Sequence, residues 1–457
     1  MMRGIALLIA LIPSAGTSDG GSPPPSEPTL TAEQRMDPAS CVECHAEHHG
    51  EWAGSMHAYA STDPIFRAIN AKGQEETDGA LGDFCVRCHA PVALALGLTE
   101  DGLNLDEVPD WAQGVTCYFC HSVDAVNGTH NNPLTLSDDG AFRGPYSDPV
   151  ANTAHTSTYS PLLDGDQRES ADLCGSCHDI VTQDPHRVHL ERTYSEWKGS
   201  LFSDEEGDFQ TCASCHMPTR KGVAADAPGV GLREIHDHRM AGVDVALVSF
   251  PDTEGQLAAI QNSLDTTIFA DLCVESLGNQ HTIEVKLENI GAGHSWPSGA
   301  TIDRRSWVEL KAKNTTGVLL HSSGVVSDGE PLSGETDAER WDLHQHAVDG
   351  DGNPTHDFWS VAEVLGELLP APTTLDVTDP AYIDTHRTRT WAFEAEDLAS
   401  VTMRVRIRPM GLEILQALVE EGWLEASLLA PMPTFTLALT ELEWTPDLRR
   451  ACVQAAD

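Results

Sequence analysis

Five copies of Cys-x-x-Cys-His punctuate the first half of the chain: Cys41-Val-Glu-Cys44-His45, Cys85-Val-Arg-Cys88-His89, Cys117-Tyr-Phe-Cys120-His121, Cys174-Gly-Ser-Cys177-His178 and Cys212-Ala-Ser-Cys215-His216. This spacing is the attachment signature of c-type haem. The two thiols add across the porphyrin vinyl groups, and the adjoining histidine falls beneath the iron as its proximal ligand. The chain holds 12 Cys and 21 His among 457 residues. Scattered at random, these would make roughly 0.014 such motifs, so five are not coincidence. The sequence predicts five covalently attached haems c.

Two other uses of paired cysteines fit less well. Zinc sites built from Cys-x-x-Cys pairs come as four-sulfur clusters, which an odd number of pairs cannot fill and which leave the repeated His unexplained. Disulfide frameworks belong to small secreted chains with irregular cysteine spacing.

The motifs fix five proximal ligands, His45, His89, His121, His178 and His216. The sixth position on each iron decides its task. A second His gives a low-spin, low-potential centre suited to passing electrons, whereas an open position admits a substrate. Nine more histidines lie in the same half: His48, His49, His57, His130, His155, His186, His189, His236 and His238. Methionine offers no comparable set, although Met56 and Met240 stay in view.

The first motif continues as His45-Ala-Glu-His-His-Gly-Glu-Trp52-Ala-Gly-Ser55-Met-His57-Ala58. This resembles the opening of the cytochrome c-554 family of multihaem cytochromes. Thr193-Tyr-Ser-Glu-Trp197-Lys-Gly-Ser200 looks like a second copy of the Glu-Trp-Lys-x-Ser element of that family, and Gly114-Val-Thr-Cys117 is also similar. The resemblance covers about the haem half. It implies His57 as the distal ligand of a haem other than its neighbour. The second copy departs from the pattern, with Phe202 where the first has His57. His155 resembles the distal slot that follows a Gly-Pro-Tyr element, here Gly144-Pro145-Tyr146. His238, in His236-Asp-His238-Arg-Met-Ala-Gly242, resembles a closing element of related chains. His130, a loop beyond the third motif, and His189, before the Glu-Trp-Lys element, complete the expected distal set. His48, His49, His186 and His236 are read as supporting or solvent-facing.

The polypeptide that must position these groups is sparse. The motifs run from Cys41 to His216, or ~35 residues per haem, too few for an ordinary protein core. The porphyrins themselves must fill it, held by short helices and long loops, such as a helix over Glu47 to Ala60. Before this region, Met1-Met2-Arg3, an apolar run from Ile5 to Ile12 and small residues to Gly16 read as a secretory signal peptide over 1–16. Residues 17–38, rich in Gly, Ser, Pro and Thr, read as a flexible linker. The pentahaem domain is expected over 39–242.

From 243 to 457 the pattern changes to strand-like alternation. His281 to Leu287, Ser306 to Ala312, Thr390 to Ala395, Val401 to Arg408 and Thr434 to Thr440 place apolar residues near every second position. With one amphipathic helix, about Gly411 to Glu421, they predict a β-sandwich-like domain and an α+β fold overall. Cys273 and Cys452 lie outside the motifs and either pair in an oxidising compartment or remain two buried thiols. Gly291-Ala-Gly-His294-Ser-Trp296-Pro-Ser-Gly299, then Asp303-Arg304-Arg305, is similar to an element of larger multihaem cytochromes that end in a β-domain. On one reading His294 contacts a haem edge and Arg304 or Arg305 pairs with propionates. On the other, the stretch is a turn feeding a strand, with ordinary salt bridges. His344 and His346 are read as solvated loop.

Net charge is −44, with 71 acidic against 27 basic residues, which excludes nucleic acid as a partner. The acidity either solubilises the surface or steers a basic redox partner. No segment approaches ~18 consecutive apolar residues, so no transmembrane anchor is expected. The expected function is electron relay, in the periplasm or exported beyond it, to other redox proteins or a membrane complex. The alternative is an oxidoreductase acting on a small nitrogen or sulfur compound at one open haem. All five motifs end in His, so the lysine-ligated site of pentahaem nitrite reductases is missing, and Tyr382 sits in no convincing cross-linking context.

Overall fold

Each motif sits on or beside a helical turn. In the computed structural model, which describes residues 29–289, 291–332 and 337–454, the motif helices are Val42–Ala53, Val86–His89, Cys117–Ser122, Arg168–Gly175 and Cys212–His216. Hydroxyl caps start two of them. Thr116 accepts from the Phe119 N–H, and Thr211 forms a reciprocal capping box with Ser214. The helix expected over 47–60 is two pieces, Val42–Ala53 and Met56–Tyr59. Gly54 ends the first, and the Ser55 side chain caps the second by accepting from Ala58 N–H at 3.3 Å. His57 rides on this second turn.

The signal peptide expected over 1–16 lies outside the described residues. Of the linker over 17–38, residues 29–38 are described. They form the capped helix Ala32–Met36 and a short turn, anchored by Thr29 and Leu30 N–H bonds to the carbonyls of Thr153 and Ala154.

Regular structure in the haem half is modest, as expected. It also contains four two-stranded ribbons: Val123–Val126 with Leu134–Leu136, Phe142–Gly144 with Ser157–Tyr159, Ile180–Val181 with His189–Glu191, and Thr219–Val223 with Leu232–His236. These strands are too short for periodicity to announce them. Apolar clusters here are small, for example Ala171, Tyr194 and Trp197.

The core of the second half is two antiparallel sheets, beside a smaller one of three short strands, Pro354–Thr355, His346–Val348 and Glu363–Leu365. One runs His386–Glu394, Gln280–Asn289, Ile268–Leu277, Cys452–Gln454. The other runs Leu319–Ser323, Arg305–Asn314, Leu398–Arg408, Phe435–Thr436, with Trp341–Asp342 and Leu442–Trp444 added to its central strands. Ile283, Val285 and Leu287 from the first share a core with Val308, Leu310, Val405 and Ile407 from the second. Four of the expected strands recur with small shifts of boundary. The stretch Thr434 to Thr440 differs, because it yields only Phe435–Thr436 before a 3-10 turn at Ala438–Thr440. That turn aims the Thr440 hydroxyl to accept the Val405 N–H at 2.8 Å, a ladder bond made by a side chain. Cys273 and Cys452 face each other in register and are disulfide-bonded. The expected helix is Leu412–Glu420, and a second helix, Thr253–Leu264, buries Ile260 and Leu264 in the same core.

The two halves are in contact. Helix Pro64–Glu76 from the haem half places Ile65 and Ala68 in the β-half core. From the same helix, Lys72 Nζ lies 3.0 Å from both Asp357 and Glu421.

Candidate haem-binding centre

One continuous cavity of about 2060 Å³ is lined by all ten motif cysteines and all five motif histidines. The ten thiols are free. Thiols of different motifs adjoin: Cys41 contacts Cys117, Cys88 contacts Cys177, and Cys174 contacts Cys212. Burial pushes the Cys85 and Cys120 thiols up to about 12. Five attachment points therefore share a single interior rather than five separate clefts.

The proximal rings are oriented by backbone carbonyls. The Nδ1 of His45 bonds Ala224 O at 2.8 Å, that of His89 bonds Ala60 O at 3.1 Å, and that of His121 bonds Arg143 O at 2.6 Å. His216 Nδ1 bonds Ala241 O at 2.8 Å. A carbonyl only accepts, so each Nδ1 carries the proton and each Nε2 keeps its lone pair for a metal.

Several of these rings face a second imidazole. With metal–nitrogen bonds of about 2 Å and ~1.1 Å from nitrogen to ring centre, two imidazoles on opposite sides of one metal have centroids ~6.2 Å apart. His45 and His155 lie 6.3 Å apart with planes 28° from parallel. His57 and His178 lie 6.1 Å apart. His216 and His294 lie 6.3 Å apart at 17°. His48 is also 6.2 Å from His45. It stands three residues along the same helix, however, and so lies on the same side as His45 rather than across an iron from it.

Burial depresses the pKa of these second rings. His57 and His294 fall to about 4, each mainly through desolvation and then, among other causes, the neighbouring imidazole cations they would face. They are neutral at ordinary pH, as metal ligation requires.

The remaining candidates separate clearly. His238 is buried, with its Nδ1 on His236 O at 2.9 Å, and it lies within electrostatic reach of His121. Its ring also meets His48 edge-on at 4.8 Å. His130 is half-buried beside Thr129, and among the described residues it has no ring contact with a motif histidine. His189 is paired through Nε2 with Asp179 at 3.1 Å. Two proximal rings meet a phenylalanine instead of an imidazole among the described residues: His89 stacks on Phe66 at 4.1 Å and 2°, and His121 meets Phe142 edge-on at 6.5 Å.

His294 is the residue that sequence reasoning left undecided. Its Gly-x-Gly-His-Ser-Trp-Pro signature marked the turn, but nothing local showed where the ring points. Arg304 lines the cavity and forms a two-point ion pair with Asp244 at 2.7 and 3.0 Å, whereas Arg305 bonds Glu413 and the carbonyls of Ile302 and Arg304. His344, expected in a solvated loop, is 6% exposed, and burial pulls its pKa to about 2.

Free thiols in pairs, imidazoles with free Nε2 atoms and one shared apolar-walled interior form a donor set that fits haem c. Residues 40–122 match the model of the family described as cytochrome c554 and c-prime. Over that stretch, which holds three of the five Cys-x-x-Cys-His motifs, the chain is similar to this family. A solved structure, a penta-heme cytochrome c552 from Thermochromatium tepidum, is similar over 90% of this chain and 99% of that one, at 21% identity and a TM-score of 0.63. At that identity the likeness establishes the fold alone. No curated protein matches the chain significantly. Among the described residues, no helix is long and apolar enough to cross a membrane.

Proposed function

We propose that this cytochrome is exported and relays electrons between redox partners through five bound haems. Haem iron supplies reversible one-electron chemistry when bound. The observation that carries the reading is the set of facing imidazoles. His45 with His155, and His57 with His178, present paired Nε2 donors across a common interior. Two nitrogen ligands per iron would exclude water and substrate there. Nδ1 bonds hold the His45 ring on Ala224 O at 2.8 Å and the His57 ring on Met240 Sδ at 2.9 Å, so little of either reorganises when charge changes. We assign His155 and His57 as sixth ligands for the first and fourth motifs, and His238 for the third. His130 and His189 remain weaker members of the expected set. The partners fit other redox proteins or a membrane complex in the periplasm or beyond.

The test is a ferric EPR spectrum of the intact holoprotein. Signals that are predominantly low-spin support relay. A spectrum dominated by high-spin iron overturns it.

One observation favours the alternative, a small-substrate oxidoreductase. His89 stacks on Phe66 instead of facing a second imidazole, so the second motif is the place for an open iron. Nitrite, hydroxylamine or cyanide would then change a minority high-spin signal. No response to any of the three counts against this reading.

A further inference from the structure

The two copies of the Trp-x-x-Ser element do different things. In the first, Trp52 and Ser55 lead to His57, which faces His178 of motif four. In the second, Trp197 and Ser200 lead to Phe202, which has no donor atom. The backbone of Gly293, from the β half, lies against this second copy. A Cβ there would sit 3.2 Å from the Trp197 ring and 3.3 Å from the Phe202 ring, so the approach is already tight. The next residue is His294, whose ring stands 6.3 Å from His216 with planes 17° apart.

We infer that the β half supplies the missing ligand: His294 is the sixth ligand of the haem on motif five. This rests on the reading that motif five carries haem, and it gives His216 the facing imidazole that the second Trp-x-x-Ser copy does not provide.

The loop is built to hold that ring still. His294 Nδ1 bonds Ser295 O at 2.9 Å, which leaves Nε2 free, the same arrangement His216 has with Ala241 O at 2.8 Å. From the β side, the fully buried Asn289 donates to His294 O at 2.8 Å and accepts from Ala292 N–H at 3.0 Å. From the haem side, Glu196 accepts the Ser295 N–H at 3.0 Å, and Thr193 meets Ser298 at 2.8 Å. Glu196 and Thr193 belong to the second Trp-x-x-Ser copy itself. The element that carries Phe202 in place of a histidine thus seats a histidine from elsewhere.

The test uses the full-length holoprotein carrying His294→Ala, with intact mass and a motif-five peptide map read beside EPR and near-infrared spectra. The expected result is five haems by mass, with one of the five converted from low to high spin and returned to low spin by added imidazole. Five haems with unchanged spin states would overturn the inference. A motif-five peptide without haem would instead overturn the reading beneath it. If His294→Ala is produced poorly, His294→Met keeps a ligand at the site. One haem in the set should then rise in potential while remaining low-spin, and an unaltered redox titration would count against His294.

Discussion

The two halves of this protein solve the same problem with different materials. The β half buries a broad apolar core between two sheets, with Trp391, Val285, Leu310 and Val405 all nearly or fully excluded from solvent. The haem half has only small patches of this kind, and its largest interior feature is the cavity lined by the five motifs. The contrast teaches that one half is held by side chains and the other by what its thiols and imidazoles bind. The burial of apolar porphyrin must stand in for the aliphatic residues that ~35 residues per haem cannot supply.

The largest expected effect would split the halves outright. A chain produced without haem attachment should expose residues 39–242 to rapid proteolysis, while a fragment beginning near residue 250 survives. Mass spectrometry of the digest would check this, and uniform resistance along the chain would dissolve the comparison. Next, Trp391→Ala removes a large ring from the β core and should cost about 3–5 kcal/mol in denaturant unfolding. The haem spectrum before the transition should be unchanged. Removing the Cys273–Cys452 bond with Cys452→Ser should cost about 2–4 kcal/mol by the same measurement, again confined to the β half.

The smallest effect lies at the border. Burial raises the Asp63 carboxyl to about 7, opposed by its bond from the Ile65 N–H and reinforced by Asp244. In the folded chain this group stays protonated where the unfolded chain has already ionised. Its stabilising contribution is complete below the usual carboxylate range, declines as pH rises, and is lost once pH passes about 7. Asn at this position still caps helix Pro64–Glu76. Asp63→Asn should therefore gain on the order of 1–2 kcal/mol over the parent above neutral pH and nothing near pH 3.5. Denaturant titrations at the two pH values would check the sign.

How much could be read from the sequence follows the range of each interaction. Cys-x-x-Cys-His is a local pattern, so the attachment sites were plain. The strands of the β half announced themselves through period-two burial, as in Gln280–Asn289, where alternate residues are fully buried. The strand Ile268–Leu277 has the same alternation at its start, but its exposed end at Leu277 blurred it. Distal pairing is a tertiary matter. His57 was singled out only because its surrounding element repeats a family pattern, and His155 because of the Gly-Pro-Tyr that precedes it. His294 faces a ring far earlier in the chain, and no local signal reports a partner at that separation. Phe202 was the nearest clue, since a ligand missing from a repeated element must be supplied from another segment.

The outer strand His386–Glu394 bears on how copies of this protein behave beside one another. Among the described residues it flanks the four-stranded sheet with one side unpaired, and it carries Arg387 and Arg389. An unpaired margin invites a second chain to extend the ladder, but two guanidinium groups on it would repel the matching margin of an identical molecule. In a chain otherwise so rich in carboxylates, placing cations there keeps crowded copies from zipping together.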